Sequence, residues 1–199
     1  MALGLNWFFN DKILKKPDFD KEFFTSMRFD KEALLEISED YNQQIKGNIK
    51  YEDFEKIKYL TLNNFGLKDF NVISALTNLD EIHLGQNEIK DISFIYSQKN
   101  LKKVTLFANK ITDLSPLRNQ TYLEELNLNS NPISDLTPIK GLKSLKKLSL
   151  GNCSISDISC LENLENLQEL RIGFNNIGSL TIFVIKQQQL KFLVSYAEN

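Results

Sequence analysis

Across 199 residues the sequence holds two cysteines, one histidine, one tryptophan, four prolines and eight glycines. Each scarcity closes off a class of chemistry. Cys153 and Cys160 form neither a disulfide framework nor a zinc spacing, and two unpaired thiols lean toward a reducing compartment. His83 is the sole histidine, so a Ser-His-Asp or Cys-His mechanism has to run through it. One histidine and two cysteines cannot build a zinc site, and no twelve-residue loop of alternating acidic ligands offers itself to calcium. The glycines are isolated, with no phosphate-cradling loop. Neither catalysis nor a cofactor or metal is expected.

Long apolar runs are missing too: no stretch reaches the roughly 18 to 20 residues that a membrane-spanning helix needs. The run from Ala2 to Phe9 has no basic residue before it and is broken by Asn6, which does not read as a secretory signal. A cytoplasmic setting is therefore favoured, and a secreted or surface one if the chain is a processed form. Charge of one sign is likewise lacking. Lys plus Arg is 24 against 26 for Asp plus Glu, a formal net charge of -2, which gives no global field for nucleic acid or an anionic membrane. At 42% hydrophobic and 25% charged residues, the composition is that of a globular protein with a sizeable core.

What is present is a repeat. With a period of 22, units begin at Ile57, Leu79, Leu101, Leu123, Leu145 and Leu167, and each follows LxxLxLxxNxIxDI before an eight-residue return. The fourth position holds Leu60, Ile82, Val104, Leu126, Leu148 and Leu170, and the sixth holds Leu62, Leu84, Leu106, Leu128, Leu150 and Ile172. That alternation marks a short half-buried strand. Position eleven (Leu67, Ile89, Ile111, Ile133, Ile155, Ile177) and position fourteen (Phe70, Ile92, Leu114, Leu136, Ile158, Leu180) supply further inward side chains. A single unit cannot bury this edge, so the coils must stack with their strands side by side in a parallel sheet.

The polar positions fit the same scheme. Asn87, Asn109, Asn131 and Asn175 occupy position nine, with Phe65 and Cys153 as exceptions. A buried amide there can satisfy backbone groups whose loss would cost about 1 to 3 kcal/mol each. Asp69, Asp91, Asp113, Asp135 and Asp157 recur at position thirteen, where a short carboxylate caps the start of a return turn. Pro116 and Pro138 at position sixteen, a slot Cys160 shares, suit an extended or 3₁₀ return.

On these residues, Ile57 to Thr181, the chain resembles the bacterial internalin-like leucine-rich repeats and the related protein phosphatase regulatory type. The resemblance implies an α/β solenoid: a leucine-rich-repeat horseshoe with a parallel concave sheet, a 3₁₀ or irregular convex side and an N-terminal helical cap. It also implies a protein-binding scaffold without chemistry of its own.

The ends are expected to close the stack. Residues 1–50 read as the helical cap, with an amphipathic helix over 30–45 carrying Leu34, Ile37 and Tyr41 and a shorter one from Asp20 to Arg28. Gly47 to Ile57 resembles the strand and helical turn that lead into the first coil of internalin-like proteins. Trp7, Phe8, Phe9, Phe19, Phe23, Phe24 and Phe29 crowd this end. They either cover the first coil or offer a hook to a partner or second protomer. Residues 51–182 form the solenoid and 183–199 a closing segment, where the 22-residue phase puts Phe192 and Val194 at the inward strand positions and Ala197 at the turn.

Function is expected on the concave face, where positions three, five and seven emerge. Positions two and three alternate acidic and basic coils, which can pair across the sheet and which deny a phosphate backbone a continuous basic track. Positions five and seven are small, polar and nearly neutral. Tyr59, His83, Phe107, Asn127, Asn129 and Arg171, with Phe174 just beyond, form the mixture of aromatic, Arg and short polar groups that protein interfaces favour. The expected role is a non-enzymatic scaffold for a partner protein: a regulator, inhibitor or effector-type bacterial protein, a monomer rather than a homo-oligomer. The alternatives are a surface or secreted internalin-like adhesin, or a structural protein self-assembling through the aromatic N-terminus.

Overall fold

The computed structural model describes residues 58–64, 66, 68 and 76–178, together with the backbone of two further strands at Arg28–Phe29 and Phe192–Val194. The expected helical cap, its aromatic cluster, and Phe65, Leu67, Asp69, Phe70, Leu180 and Ala197 lie outside these residues, apart from those two strands.

Six three-residue strands carry the alternating LxL pattern: β2 (Tyr59–Thr61), β3 (Glu81–His83), β4 (Lys103–Thr105), β5 (Glu125–Asn127), β6 (Lys147–Ser149) and β7 (Glu169–Arg171). They pair in parallel and in chain order, and every register step is one 22-residue unit: Leu60 lies opposite Ile82, then Val104, Leu126, Leu148 and Leu170. At one end β1 (Arg28–Phe29) joins β2 antiparallel, and at the other β8 (Phe192–Val194) joins β7 in parallel. Arg28, expected to end a helix, thus begins a strand.

The core runs as a spine behind this sheet. The fourth- and sixth-position residues of all six coils are at most 2% exposed, and Ile89, Ile111, Ile133 and Ile155 at position eleven are fully buried. Each such side chain removed from water is worth about 1.5 to 3 kcal/mol, and none finds that burial inside its own coil. Stacking is therefore the source of stability.

The returns are 3₁₀ turns at Ser93–Ser97, Ser115–Leu117, Thr137–Ile139 and Ser159–Asn163. Pro116 and Pro138 sit in the first turn, where the missing N–H costs nothing. Each turn is preceded by an aspartate whose Oδ1 accepts the N–H two residues on, at 2.8 Å: Asp91 from Ser93, Asp113 from Ser115, Asp135 from Thr137 and Asp157 from Ser159. The carboxylate stands one residue ahead of the cap position, held by Ile92, Leu114, Leu136 and Ile158. It acts as a short side-chain turn rather than as an N-cap proper.

The asparagine ladder ties each coil to the one before it. Asn109 Nδ2 donates to Leu84 O and Leu106 O, both at 2.9 Å, and its Oδ1 accepts Ile89 N–H at 3.0 Å. Asn131 repeats the pattern on Leu106, Leu128 and Ile111. At Cys153 the ladder breaks. The thiol reaches Leu128 O only at 3.5 Å, and the Ile133 amide turns instead to Asn131 O at 2.8 Å. The step resumes at Asn175, whose Oδ1 accepts Ile155 N–H at 3.1 Å.

Two features depart from the sequence reading. Position eight is left-handed in every coil, with φ of 63° at Asn64, 57° at Gln86, 53° at Ala108, 57° at Ser130, 55° at Asn152 and 57° at Phe174. At the far end Leu170 lies opposite Leu193, so Phe192 and Val194 fall in register with Glu169 and Arg171. The step from β7 to β8 is therefore 23 residues, one more than the 22-residue period.

Candidate functional site

The solvent side of the sheet carries three parallel rows. The first reads Tyr59, Glu81, Lys103, Glu125, Lys147, Glu169, and the second Thr61, His83, Thr105, Asn127, Ser149, Arg171, both in strand register. The third, two residues beyond each strand, reads Asn63, Gly85, Phe107, Asn129, Gly151, Gly173. The alternation that buries the leucines puts the first two rows toward water.

Each expected contact residue lies on this side or on its rim. Tyr59 opens the first row, 38% exposed, and Phe174 stands on the left-handed turn beside Gly173, 51% exposed. His83, Asn127 and Arg171 share the second row. From Tyr59 to Arg171 is five strand spacings, roughly 24 Å, so these residues make a strip suited to a macromolecular surface rather than one pocket.

Several are already engaged by the scaffold. His83 Nε2 is 3.2 Å from Glu81 Oε2. Asn127 Oδ1 accepts Asn129 N–H at 3.1 Å, and Asn129 Oδ1 accepts Gly151 N–H at 2.6 Å. The Phe107 ring lies on the backbone of Gly85, where a Cβ would stand 2.8 Å from Cζ and closer still to two other ring atoms. Phe107 is half-buried in consequence.

Across β4 to β7 the rows enclose a hollow of about 260 Å³, lined by Lys103, Thr105, Glu125, Asn127, Lys147, Ser149, Glu169 and Arg171. Its charges are organised around Glu125, which meets Lys103 Nζ at 3.3 Å and Lys147 Nζ at 2.8 Å. The Lys147 ammonium holds this carboxyl below the ordinary glutamate range, and the Lys147 pKa is raised in return. One row over, Lys146 pairs with Glu124 at 2.7 Å. The alternating charge ladder thus forms as paired ions from Lys103 through Glu125 to Lys147 and between Glu124 and Lys146. Such exposed pairs are screened by water and add little to stability.

Sequence reasoning treated Lys103, Glu125, Lys147 and Glu169 as a stabilising ladder and missed that they wall a hollow. The available signal was their shared register with Thr105 and Ser149, whose short side chains leave the floor open. It also gave no role to Tyr96 and Tyr122 on the return side, 61% and 65% exposed. Tyr96 Oη lies 3.2 Å from Ser115 Oγ.

Neither thiol is poised for chemistry: burial raises the Cys153 pKa and pushes that of Cys160 up to about 11. Among the described residues no three metal-ligating side chains gather, and no helix is long and apolar enough to cross a membrane.

Residues 99–141 and 143–184 each match a family model described as leucine rich repeats in two copies. An internalin (inlF) from Listeria monocytogenes is 32% identical, with a TM-score of 0.58 over 74% of this chain and 51% of that one. A leucine-rich-repeat protein from Leptospira interrogans is 26% identical, with a TM-score of 0.64 over 70% of this chain and 38% of that one. Internalin C2 (inlC2) of Listeria monocytogenes shares the fold at 23% identity and a TM-score of 0.54, over 74% of this chain and 84% of that one. The chain spans about half the length of the first of these and less of the second. Comparison with curated proteins finds no match. The 22-residue register, the buried leucine rows, the 3₁₀ returns and these similarities agree: the chain has a leucine-rich-repeat fold and is similar to bacterial internalins.

Proposed function

We propose that the chain is a non-enzymatic scaffold that binds a partner protein on the strand face, as a regulator, inhibitor or effector-type bacterial protein. Tyr59, His83, Phe107, Asn127, Asn129, Arg171 and Phe174 are the proposed contacts. The observation that carries this reading is the long strip of short polar side chains between Tyr59 and Phe174, over which no other element packs among the described residues. Rigid strands place those side chains at fixed spacing, so little order has to be gained on binding.

The polar groups support recognition rather than reaction. His83 is bonded to Glu81, and both thiols are held in the neutral form by burial. Paired lysines and glutamates alternate along the strip, which disfavours a nucleic-acid backbone. The proposed state is a monomer, and residues 51–182 are its binding unit.

A photo-reactive amino acid placed at Asn127 in one variant and at Tyr122 in another tests the reading in cells that make the protein. A discrete protein adduct from Asn127 is expected. Adducts formed only from Tyr122, on the return side, would overturn the assignment of the face.

A second reading, a surface or secreted internalin-like adhesin, draws support from the 32% identity to a Listeria internalin. Fractionating the producing cells separates the two. Recovery from the cytosol supports the regulator, and recovery from medium or envelope the adhesin.

A further inference from the structure

The return side of the coils carries a charge imbalance of its own. Over residues 93–100, 115–122 and 137–144, the returns of three successive coils, stand Lys99, Arg118, Lys140 and Lys143 with no acid in the same segments. This occurs on a chain whose formal net charge is -2. The next return, 159–166, brings Glu162 and Glu165 instead. These segments stack directly: Gln120 Nε2 donates to Ile95 O at 3.0 Å and to Gln98 O at 3.1 Å, and Tyr96 Oη lies 3.2 Å from Ser115 Oγ. All four cations are exposed, as are Tyr96 and Tyr122. Only Lys143 of the four has an ion-pair partner among the described residues, Glu165 at 2.7 Å. Asp113 and Asp135 act on Arg118 at longer range, their carboxylates being bonded to Ser115 and Thr137.

We infer that this patch is a second docking surface and takes a short acidic segment of a partner protein, its Asp or Glu side chains set among Lys99, Arg118 and Lys140. It lies away from the strand face, so it stands or falls apart from the reading given above. A cation that holds no ion pair has none to give up on meeting a carboxylate, and complementary charge steers and orients the encounter. Tyr and Arg together are what interface centres favour. By register Tyr96 shares a row with Arg118 and Lys140, and Tyr122 stands in the coil between those of Lys99 and Lys143. The patch is also short. Three coils span two steps of the stack, about 10 Å at the strand spacing, which matches roughly three residues of extended chain. A nucleic-acid strand or an anionic membrane extends beyond that length, onto Glu162 and Glu165 in the next coil and onto Asp113 and Asp135 at the start of the turns.

Panning a random dodecapeptide phage library against the full chain tests this without a known partner. The comparison form carries Lys99→Ser, Arg118→Ser and Lys140→Ser together, exposed changes that leave the core untouched, and its thermal unfolding is checked against wild type. Peptides rich in Asp or Glu are expected from wild type. Made synthetically, such a peptide should bind the triple variant at least about tenfold more weakly, a few-fold for each cation removed, and its hold on wild type should weaken as salt rises. Converting its acids to amides should give a similar loss, and that arm needs no protein variant. Selected peptides without an excess of acid, indifference to the amide change, undiminished binding to the folded triple variant, or no enrichment at all would each overturn the proposal. A short single-stranded RNA and vesicles of phosphatidylcholine and phosphatidylserine are offered to the same two forms. If either binds wild type more tightly than the peptides do and is lost on the triple variant, the patch belongs to that anion and the acidic-segment assignment is overturned.

Discussion

The ring of Phe107 rests on the bare backbone of Gly85, so the glycine of one coil is the seat for the aromatic of the next. Any Cβ at Gly85 meets the ring, which is the movable end of a half-buried side chain. Gly85→Ala is expected to cost about 1 to 2 kcal/mol, at the lower end of overpacking penalties, because the ring can swing toward solvent. In a Phe107→Ala background the same change should cost close to nothing. Denaturant titration of the four forms gives the coupling, and an additive pair would show that ring and glycine do not support one another.

Cys153→Asn is expected to stabilise the protein. An amide there can donate to Leu128 O, which the thiol meets only at 3.5 Å, and can accept the Ile133 amide that now turns to Asn131 O. One or two added hydrogen bonds in a buried turn are worth about 0.5 to 1.5 kcal/mol each. A rise in the denaturation midpoint is the readout. A fall would mean that the turn has settled around sulfur.

Thiol reactivity provides an independent check on packing. With burial pushing its pKa up to about 11, Cys160 is about one part in a thousand thiolate at pH 8, against roughly a quarter for an ordinary cysteine. Alkylation of native protein should therefore run at least about 100-fold slower there than in the denatured chain. Cys153, whose pKa burial also raises, should be slowed as well. Peptide mapping after timed alkylation reads both sites, and equal native and denatured rates at Cys160 would contradict the buried placement.

Acid should loosen the coils in a defined window. The Ser115 hydroxyl first and its N–H second lower the Asp113 pKa, the backbone N–H of Thr137 and of Ser159 leads at Asp135 and Asp157, and Lys147 leads at Glu125. All four folded carboxyls hold protons less tightly than in the unfolded chain, where values near 3.9 and 4.3 apply. The unfolded state therefore binds more protons as pH falls, and the stability from these groups is complete above about pH 5, begins to fall near the unfolded values at about pH 4, and is lost as pH drops through the lower folded values. Thermal unfolding from pH 3 to 8 should give a plateau and then a fall on the acid side. A melting temperature rising toward pH 3 would contradict the assignment.

Much of this architecture was legible because a 22-residue period in leucine is a physical requirement: Leu126 and Leu128 have nowhere to hide except between coils. The asparagines and aspartates were legible for the same reason, since buried or turning backbone demands partners at fixed places. The left-handed position eight was not. Asn64 and Asn152 tolerate that conformation, but Gln86, Ala108 and Phe174 carry no mark of it, because the geometry is imposed by the turns on either side. The slip at β8 was equally hidden, since Phe192, Leu193 and Val194 are all apolar and fit either phase. Of the candidate site, the rows could be read from alternation alone. The seat of Phe107 on Gly85 and the sharing of Glu125 between two lysines needed the actual approach of neighbouring coils.

The asparagine side chains have a direction. Asn109 and Asn131 each bind a carbonyl and an amide of the coil before them, and Asn175 does the same across the resumed step. A chain leaving the ribosome N-terminus first therefore presents each of these asparagines with its partners already in place, while the Ile89, Ile111 and Ile155 amides each wait for the asparagine of the coil that follows. Synthesis and assembly advance the same way along the molecule, like bricks laid course upon course.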